Sequence, residues 1–167
     1  QYKIASVFTE MRTVAFNIQP SELKITREKS KQIYGVFMET GYDDAVFSLR
    51  CFAEGSISIY FSNGGGIIGL GEHEAARKTG LDFIKETEKY LSKARQTSEY
   101  KLPNPGKTIF YMLTFDGVYS LESSEKELGT NASEFSSLFY KAQDVITQAR
   151  IIDEKRRRDT PISSNSR

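Results

Sequence analysis

The amino-acid sequence predicts an α+β fold of order α-βββ-α-ββ-α, in which a five-stranded, mainly antiparallel sheet packs with three helices. Three segments carry apolar residues at the three-and-four spacing of one helical face. Five further segments alternate apolar and polar residues, as half-buried strands do. Short polar turns separate consecutive strands, and turns of that length favour antiparallel neighbours.

The first two predicted helices are amphipathic. The first covers residues 3–18 and ends before Pro20, because the residue that precedes a proline disfavours helical geometry. The second covers residues 73–95, and its apolar side includes Phe83 and Ile84.

The third predicted helix, residues 132–155, has the most regular apolar stripe of the chain. Asn131 and Glu134 precede and begin it at the spacing of a capping box. We therefore expect one α+β domain over residues 1–156, followed by a polar tail over residues 157–167 that carries no core pattern.

The predicted strands fall into a group of three and a group of two. Asp116-Gly117 between the last two is a strong β-hairpin signal. The five predicted strands are residues 33–40, 45–53, 56–62, 108–115 and 118–121.

This element order and the chain length resemble those of the type III secretion chaperone fold. The resemblance rests on topology and length and not on a sequence motif. It implies a fold, and fold analogy alone does not specify a function.

Composition excludes several classes of protein. The 167 residues are 38% hydrophobic and 27% charged, with a net charge of +1, which argues against disorder and against a global field that attracts nucleic acid. Apolar runs are far too short to span a membrane. Cys51 is the single cysteine, so no internal disulfide forms, and we expect a cytoplasmic protein without a membrane segment.

The second face of the predicted sheet is unusually apolar. A sheet with helices on one side only should carry polar residues on the other. Either the helices cover both faces, or part of this face binds a protein partner or a second copy of the chain. The candidate interface consists of Tyr34, Val36, Met38, Phe52, Tyr60, Phe110 and Met112.

A glycine-rich loop follows the third predicted strand. Gly64, Gly66 and Gly69 match the G-x-G-x-x-G spacing of a phosphate-binding loop between a strand and a helix. Glu72 and Glu74 would place negative charge where a phosphate sits, so a protein-contact loop and a purely structural turn stay open as alternatives. The candidate loop residues are Asn63, Gly64, Gly65, Gly66, Gly69, Gly71, Glu72 and His73.

The remaining chemistry-bearing residues are isolated. His73 is the only histidine and has no specified partner for acid–base catalysis. Cys51 lies in an apolar strand and is expected to be a buried structural residue. The basic run at 155–158 lacks interleaved aromatic residues, so nucleic-acid binding is not favoured. We predict no metal site, catalytic residue or cofactor.

These observations together favour a non-enzymatic intracellular protein-binding module of the chaperone, adaptor or toxin-neutralising kind that acts as a homodimer. The alternative is a small-ligand, phosphate or nucleotide-binding protein, or an enzyme, that uses the Gly64–Gly71 loop with His73.

Overall fold

The structure is a computed structural model that describes residues 2–28 and 32–160. These residues form four α-helices and seven β-strands, and all strands join one antiparallel sheet of order β4-β3-β2-β1-β6-β7-β5. The helices are α1 (Ser6–Asn17), α2 (Glu74–Glu88), α3 (Glu125–Gly129) and α4 (Ser136–Asp159). The strands are β1 (Ile33–Gly41), β2 (Val46–Phe52), β3 (Ile57–Phe61), β4 (Gly66–Ile67), β5 (Arg95–Thr97), β6 (Lys107–Thr114) and β7 (Gly117–Ser124).

The predicted α+β class and antiparallel sheet are confirmed. The predicted strands correspond to β1, β2, β3, β6 and β7, and the predicted helices to α1, α2 and α4. The predicted counts of five strands and three helices are too low. The sequence pattern missed β4, β5 and α3, which span only two, three and five residues and are too short to show a period.

Helices cover both faces of the sheet. On one face Phe83 of α2 packs within a core that also includes Phe110 of β6 and Leu138 of α4. On the other face Phe16 of α1 packs against the sheet and stacks on Tyr100, with ring centroids 4.2 Å apart. The alternative in which helices shelter both surfaces is therefore the one that the structure shows.

A β-bulge in β1 changes which side chains share a face. The pairing of β1 with β6 shifts between Ile33 and Gly35, so that Ile33 and Val36 face α2 while Tyr34 and Phe37 face α1. An extra residue in one strand reverses the alternation beyond it. Strict period-two alternation, which placed Tyr34 and Val36 on one side, fails here for that reason.

The candidate sheet interface is wrong as a single exposed face. Four of its members, Val36, Met38, Phe110 and Met112, are buried in the core under α2 and α4. Tyr34 and Phe52 are buried on the opposite face in the core under α1, and Tyr60 is half-buried. The apolar side chains on both faces are explained by helices of the same chain.

Two helix boundaries differ from the prediction. The second helix stops at Glu88, because the chain turns there to place β5 against β7. The fourth begins at Ser136, and Asn131 does not cap it: Asn131 has a positive φ of 59° just after α3, a conformation that asparagine tolerates. The predicted tail lies partly in α4, which continues to Asp159, and partly in residues 161–167, outside the described residues.

No helix within residues 2–28 and 32–160 is both long enough and apolar enough to cross a membrane.

Gly71 is expected to be essential for the packing of the segment after β4 onto the turn that precedes β3. A Cβ at Gly71 would lie 2.0 Å from the carbonyl oxygen of Gly55, so Gly71→Ala should lower the free energy of unfolding by about 2 kcal/mol. Gly129→Ala is the matched control, because the nearest atom to its Cβ would be 3.8 Å away. Equilibrium urea unfolding measures both, and equal stabilities for the two variants would contradict the packing described.

Candidate functional site

A solvent-open groove runs between α1 and the outer strands of the sheet. Its α1 wall is formed by Met11, Val14 and Ala15, and its floor includes Phe52 and Tyr60. The cavity has a volume of about 400 Å³. This places Tyr60 and Phe52, two residues of the predicted interface, beside an open surface, although Phe52 itself is buried.

The outward side of α1 is apolar and exposed. Val7, Met11 and Val14, spaced four and three residues apart, are 52%, 39% and 64% exposed. We call these three residues the α1 stripe. Phe61 and Ile68, also exposed, line a second pocket together with Val7 and Met11. Two residues of the stripe and Ile68 therefore border one pocket, and Phe61 at the end of β3 also lines it, where its ring contacts Phe47 with centroids 5.6 Å apart.

A buried ion pair sets the orientation of α1. Arg12 donates to Glu39 of β1 through Nη2, 2.7 Å from Oε1, and through Nε, 3.1 Å from Oε2. Its Nη1 donates to the Tyr100 carbonyl oxygen at 2.7 Å. Burial opposes protonation of Arg12, but the bonds and charge of Glu39 outweigh it and raise the arginine pKa. Because Arg12 points into the protein, the α1 stripe must point away from it.

A second arginine lies beside this pair under the groove. Ser48 donates through its hydroxyl to Glu39 Oε2 at 2.9 Å and accepts from Arg50 Nε at 3.2 Å. Arg50 is only 2% exposed, and its Nη2 has no hydrogen-bond acceptor within the described residues. Two guanidinium groups thus share one carboxylate, and the buried cluster of Arg12, Glu39 and Arg50 carries a net charge of +1.

Aromatic rings surround the unpaired guanidinium. The Cζ atom of Arg50 lies 4.4 Å from the ring centroid of Tyr60 and 5.8 Å from those of Phe8 and Phe37. A cation–π contact contributes on the order of 1–2 kcal/mol, whereas removing a charge from water costs several kcal/mol. The rings compensate only part of that cost. Burial accordingly lowers the pKa of Arg50.

Sequence reasoning missed Arg12, Glu39 and Arg50 as site residues. The available signal was a charged residue in the middle of each apolar segment, since such residues are rarely buried without a partner. The sequence could not show that Arg12 and Glu39, 27 positions apart, are partners.

The candidate glycine loop forms a β-hairpin. Phe61 N–H donates to the Gly65 carbonyl oxygen at 3.1 Å, and Gly64 and Gly65 have the positive φ values that this turn requires. Gly66 belongs to β4, where a Cβ would lie 2.4 Å from the Ile59 carbonyl oxygen. The glycines at 64–66 are explained by the turn and by close backbone packing.

The arrangement after the hairpin does not support a phosphate site. A 3₁₀ turn at Leu70–Glu72 separates the glycines from the first turn of α2, so the loop does not lead directly into a helix N-terminus. His73 is exposed at the N-cap of α2, and its imidazole forms no hydrogen bond with the residues that the structure describes. Asn63 and Glu72 are exposed nearby and are not joined to His73 in an acid–base pair.

A separate cleft lies on the opposite face of the sheet, under α4. Phe47, Ile59, Phe139 and Ile146 contribute its apolar lining, and its volume is also about 400 Å³. Met38 of the predicted interface is at its base. This cleft lacks a buried unpaired polar atom.

Cys51 is buried in the core, as predicted. Burial raises the pKa of its thiol, which keeps the sulfur protonated and unreactive. In the basic run, Arg156 donates to the Ile68 carbonyl oxygen at 3.0 Å and Arg157 pairs with Asp153 at 3.1 Å, so these two side chains have structural contacts. Across the described ranges, no cluster of three metal-ligating side chains occurs.

Comparisons with protein-family models, with curated proteins and with solved structures found no match for this chain. The resemblance to type III secretion chaperones was one of predicted element order, and the observed order has two further strands and one further helix. The site must therefore be interpreted from its own geometry.

Glu39 is expected to be the main stabilising charge of the cluster. Glu39→Gln keeps an acceptor for Ser48 but leaves two buried guanidinium groups without a counter-charge, so the free energy of unfolding should fall by about 3–5 kcal/mol. The control is Asp116→Asn, which removes the partner of Arg27 in an exposed ion pair and should cost less than about 1 kcal/mol. Equilibrium urea unfolding compares the two variants. A similar decrease in the free energy of unfolding for both would show that the buried ion pair stabilises the protein no more than the exposed one.

Tyr111 is expected to make the folded protein sensitive to alkali. Burial, with a further contribution from the charge of Glu39, raises the pKa of Tyr111 to about 12. An unfolded tyrosine ionises near pH 10, so stability is complete below about pH 10 and falls as the pH rises toward about 12.

The variant Tyr111→Phe cannot ionise and should lose less stability between about pH 10 and about pH 12 than the wild type. Tyr140→Phe, at an exposed position on α4, is the matched control and should follow the wild-type curve. Unfolding by urea at each pH gives the comparison. An unchanged alkaline loss in Tyr111→Phe would contradict the assignment.

Proposed function

We propose that this protein is a non-enzymatic protein-binding module of the chaperone, adaptor or toxin-neutralising kind, and that it acts in the cytoplasm as a homodimer. In this proposal the two copies meet through the α1 stripe, Val7, Met11 and Val14. Phe61 and Ile68 extend the interface on each copy. The sheet face from which the sequence predicted a dimer is covered by helices, so the interface proposed here is the exposed surface of α1.

The observation that carries the proposal is the scarcity of charge on the outward side of α1. Among the exposed residues of Ser6–Asn17, Glu10 is the only charged one, since Arg12 is turned inward onto Glu39. The centres of protein interfaces are depleted in charged residues in the same way. A surface helix without a partner normally carries charges opposite its buried face.

The outward side of α2 shows the ordinary pattern for comparison. Its exposed residues include Glu74, Arg77, Lys78, Asp82 and Lys85, with Leu81 as the single large apolar residue that is exposed. Both helices cover the same sheet, so the difference is not a property of the fold as a whole. The apolar exterior belongs to α1.

A second copy of the chain is the partner that this surface fits best. Apolar residues spaced four and three apart pack against the same spacing on another helix at a shallow crossing angle. A twofold interface uses one surface on both copies, so a single apolar stripe is complementary to itself.

The expected affinity is moderate. Burying the exposed half of each of the five apolar side chains stabilises the dimer by about 1 kcal/mol per side chain. Each side chain is present on both copies, so the total is about 10 kcal/mol. Association costs at least about 4 kcal/mol. A dissociation constant of roughly tens of micromolar follows.

Geometry at the glycine loop supports a binding function over a phosphate-dependent one. The hairpin at Gly64–Gly66 places its turn beside Val7 and Met11, where it borders the proposed interface. The loop therefore serves as a protein-contact loop in this proposal.

Val14→Lys should weaken the dimer at least tenfold, because it would place a charged side chain from each copy in the apolar part of the interface. Val14 is 64% exposed, so the substitution should change the free energy of unfolding by less than about 0.5 kcal/mol. Sedimentation velocity over about 1–500 µM measures the dissociation constant of each protein.

Ile151→Lys is the matched control, since Ile151 is a similarly exposed apolar residue, 53% exposed, on α4. It should dimerise as the wild type does. A wild-type chain that stays monomeric over the whole concentration range would overturn the homodimer, and equal weakening by both lysines would place the interface elsewhere.

A further inference from the structure

The groove between α1 and β3 contains the one strongly unsatisfied group among the described residues. Arg50 lines this groove, is 2% exposed, and has an Nη2 without an acceptor. The carboxylate of Glu39 is already engaged by Arg12 and by the hydroxyl of Ser48. The positive charge of Arg50 therefore has no counter-charge of its own.

Within residues 2–28 and 32–160, no carboxylate forms an ion pair with Arg50. Glu10 also lines the groove, but it is exposed on α1 and forms no ion pair with Arg50. Tyr60 and the two phenylalanines supply ring faces, which attract a cation but cannot accept the Nη2 proton as a carboxylate oxygen does. An anion that reaches Arg50 would gain both a hydrogen bond and charge compensation.

The remaining lining of the groove is apolar. Met11, Val14, Ala15 and Ile18 form one side, and Ser58 and Tyr60 are the residues with neutral hydroxyls on the floor. Small-molecule sites are commonly cavities of roughly 300–1,000 Å³ with apolar walls and a few polar groups that fix orientation. At about 400 Å³ the groove lies within that range.

We propose that this groove binds a small carboxylic acid with an apolar tail, with the carboxylate paired to Arg50 and the tail packed along α1. A single negative charge balances the net charge of +1 on the Arg12–Glu39–Arg50 cluster. The planar guanidinium matches a carboxylate, and a dianionic phosphate would exceed the available charge and face Glu10 at the rim.

Access to Arg50 requires a small side-chain movement. Its Nη2 is buried, the Tyr60 ring centroid lies 4.4 Å from the guanidinium carbon, and Met11 also lines the groove. Met11 is exposed and unbranched, and Tyr60 is half-buried, so either side chain turns aside without a change in the backbone. This inference is carried by Arg50 and does not require the homodimer. Met11 and Val14 belong to both the groove and the α1 stripe, so the acid and a second copy of the chain would contact the same two side chains.

The test uses the full chain with octanoate as the probe and octan-1-ol as its uncharged counterpart. Isothermal titration calorimetry should show that wild-type protein binds octanoate at least tenfold more tightly than octan-1-ol. Arg50→Met should reduce octanoate affinity by roughly tenfold to a hundredfold and leave octan-1-ol affinity unchanged. Arg27→Met, which removes an exposed arginine outside the groove, should bind octanoate as the wild type does.

Thermal unfolding of the unliganded proteins separates a binding role from a structural one. Arg50→Met removes a buried charge that lacks a partner, so its midpoint should equal or exceed that of the wild type. If Arg50→Met does not fold, Arg50 is a structural residue and the proposal is overturned. Ser58→Phe, which fills the groove and keeps Arg50, gives an independent measurement and should also abolish octanoate binding.

Three further results would overturn the proposal: no heat of octanoate binding at millimolar concentration, equal affinity for octanoate and octan-1-ol, or full binding by Arg50→Met. The last measurement replaces octanoate with a leucine-rich hexapeptide that has a free carboxyl terminus. If it binds more than tenfold tighter than octanoate with the same dependence on Arg50, the site belongs to a polypeptide carboxylate and not to a small acid.

Discussion

Burial of β1 on both faces is the constraint from which the rest of the architecture follows, because a strand covered on both sides has no position at which a charge meets water. All residues of Ile33–Gly41 are buried. Glu39 must therefore find its partner inside the protein, and Arg12 of α1 supplies it. Once Arg12 is fixed inward, the helix can rotate no further, and Val14 is held on the outside. The apolar stripe is thus exposed because the buried Arg12–Glu39 ion pair fixes the orientation of α1.

The sequence predicted the α+β class and the five longest strands of the antiparallel sheet, because long strands joined by short turns show a regular alternation; it missed the two shortest strands. It did not predict which residues share a face. The bulge between Ile33 and Gly35 is a matter of hydrogen-bond register with β6, and nothing in the local sequence marks it. The same limit applies to α1, whose apolar residues surround most of the helix. Period alone could not separate Phe8, which is buried, from Val7, which is exposed.

The candidate site shows a similar division. The glycine cluster stood out in the sequence, yet hairpin geometry explains most of it. The groove was not visible, because Arg50, Tyr60 and Met11 come from three different elements and meet only in the folded chain. Arg50 is a charge in the middle of a buried strand, which is an expensive arrangement for stability alone. Such unpaired groups are concentrated at binding sites, where a ligand compensates them.

The sheet ends in very short strands on both sides, and this affects how copies of the protein meet. The β4 edge has two residues and the β5 edge three. Long, flat edge strands present rows of free backbone groups that recruit further strands and lead to fibrous growth. Here the backbone ladder offers almost no template, so the sheet is self-limiting. At high protein concentration, few free main-chain groups of the edge strands are therefore available for strand pairing between copies.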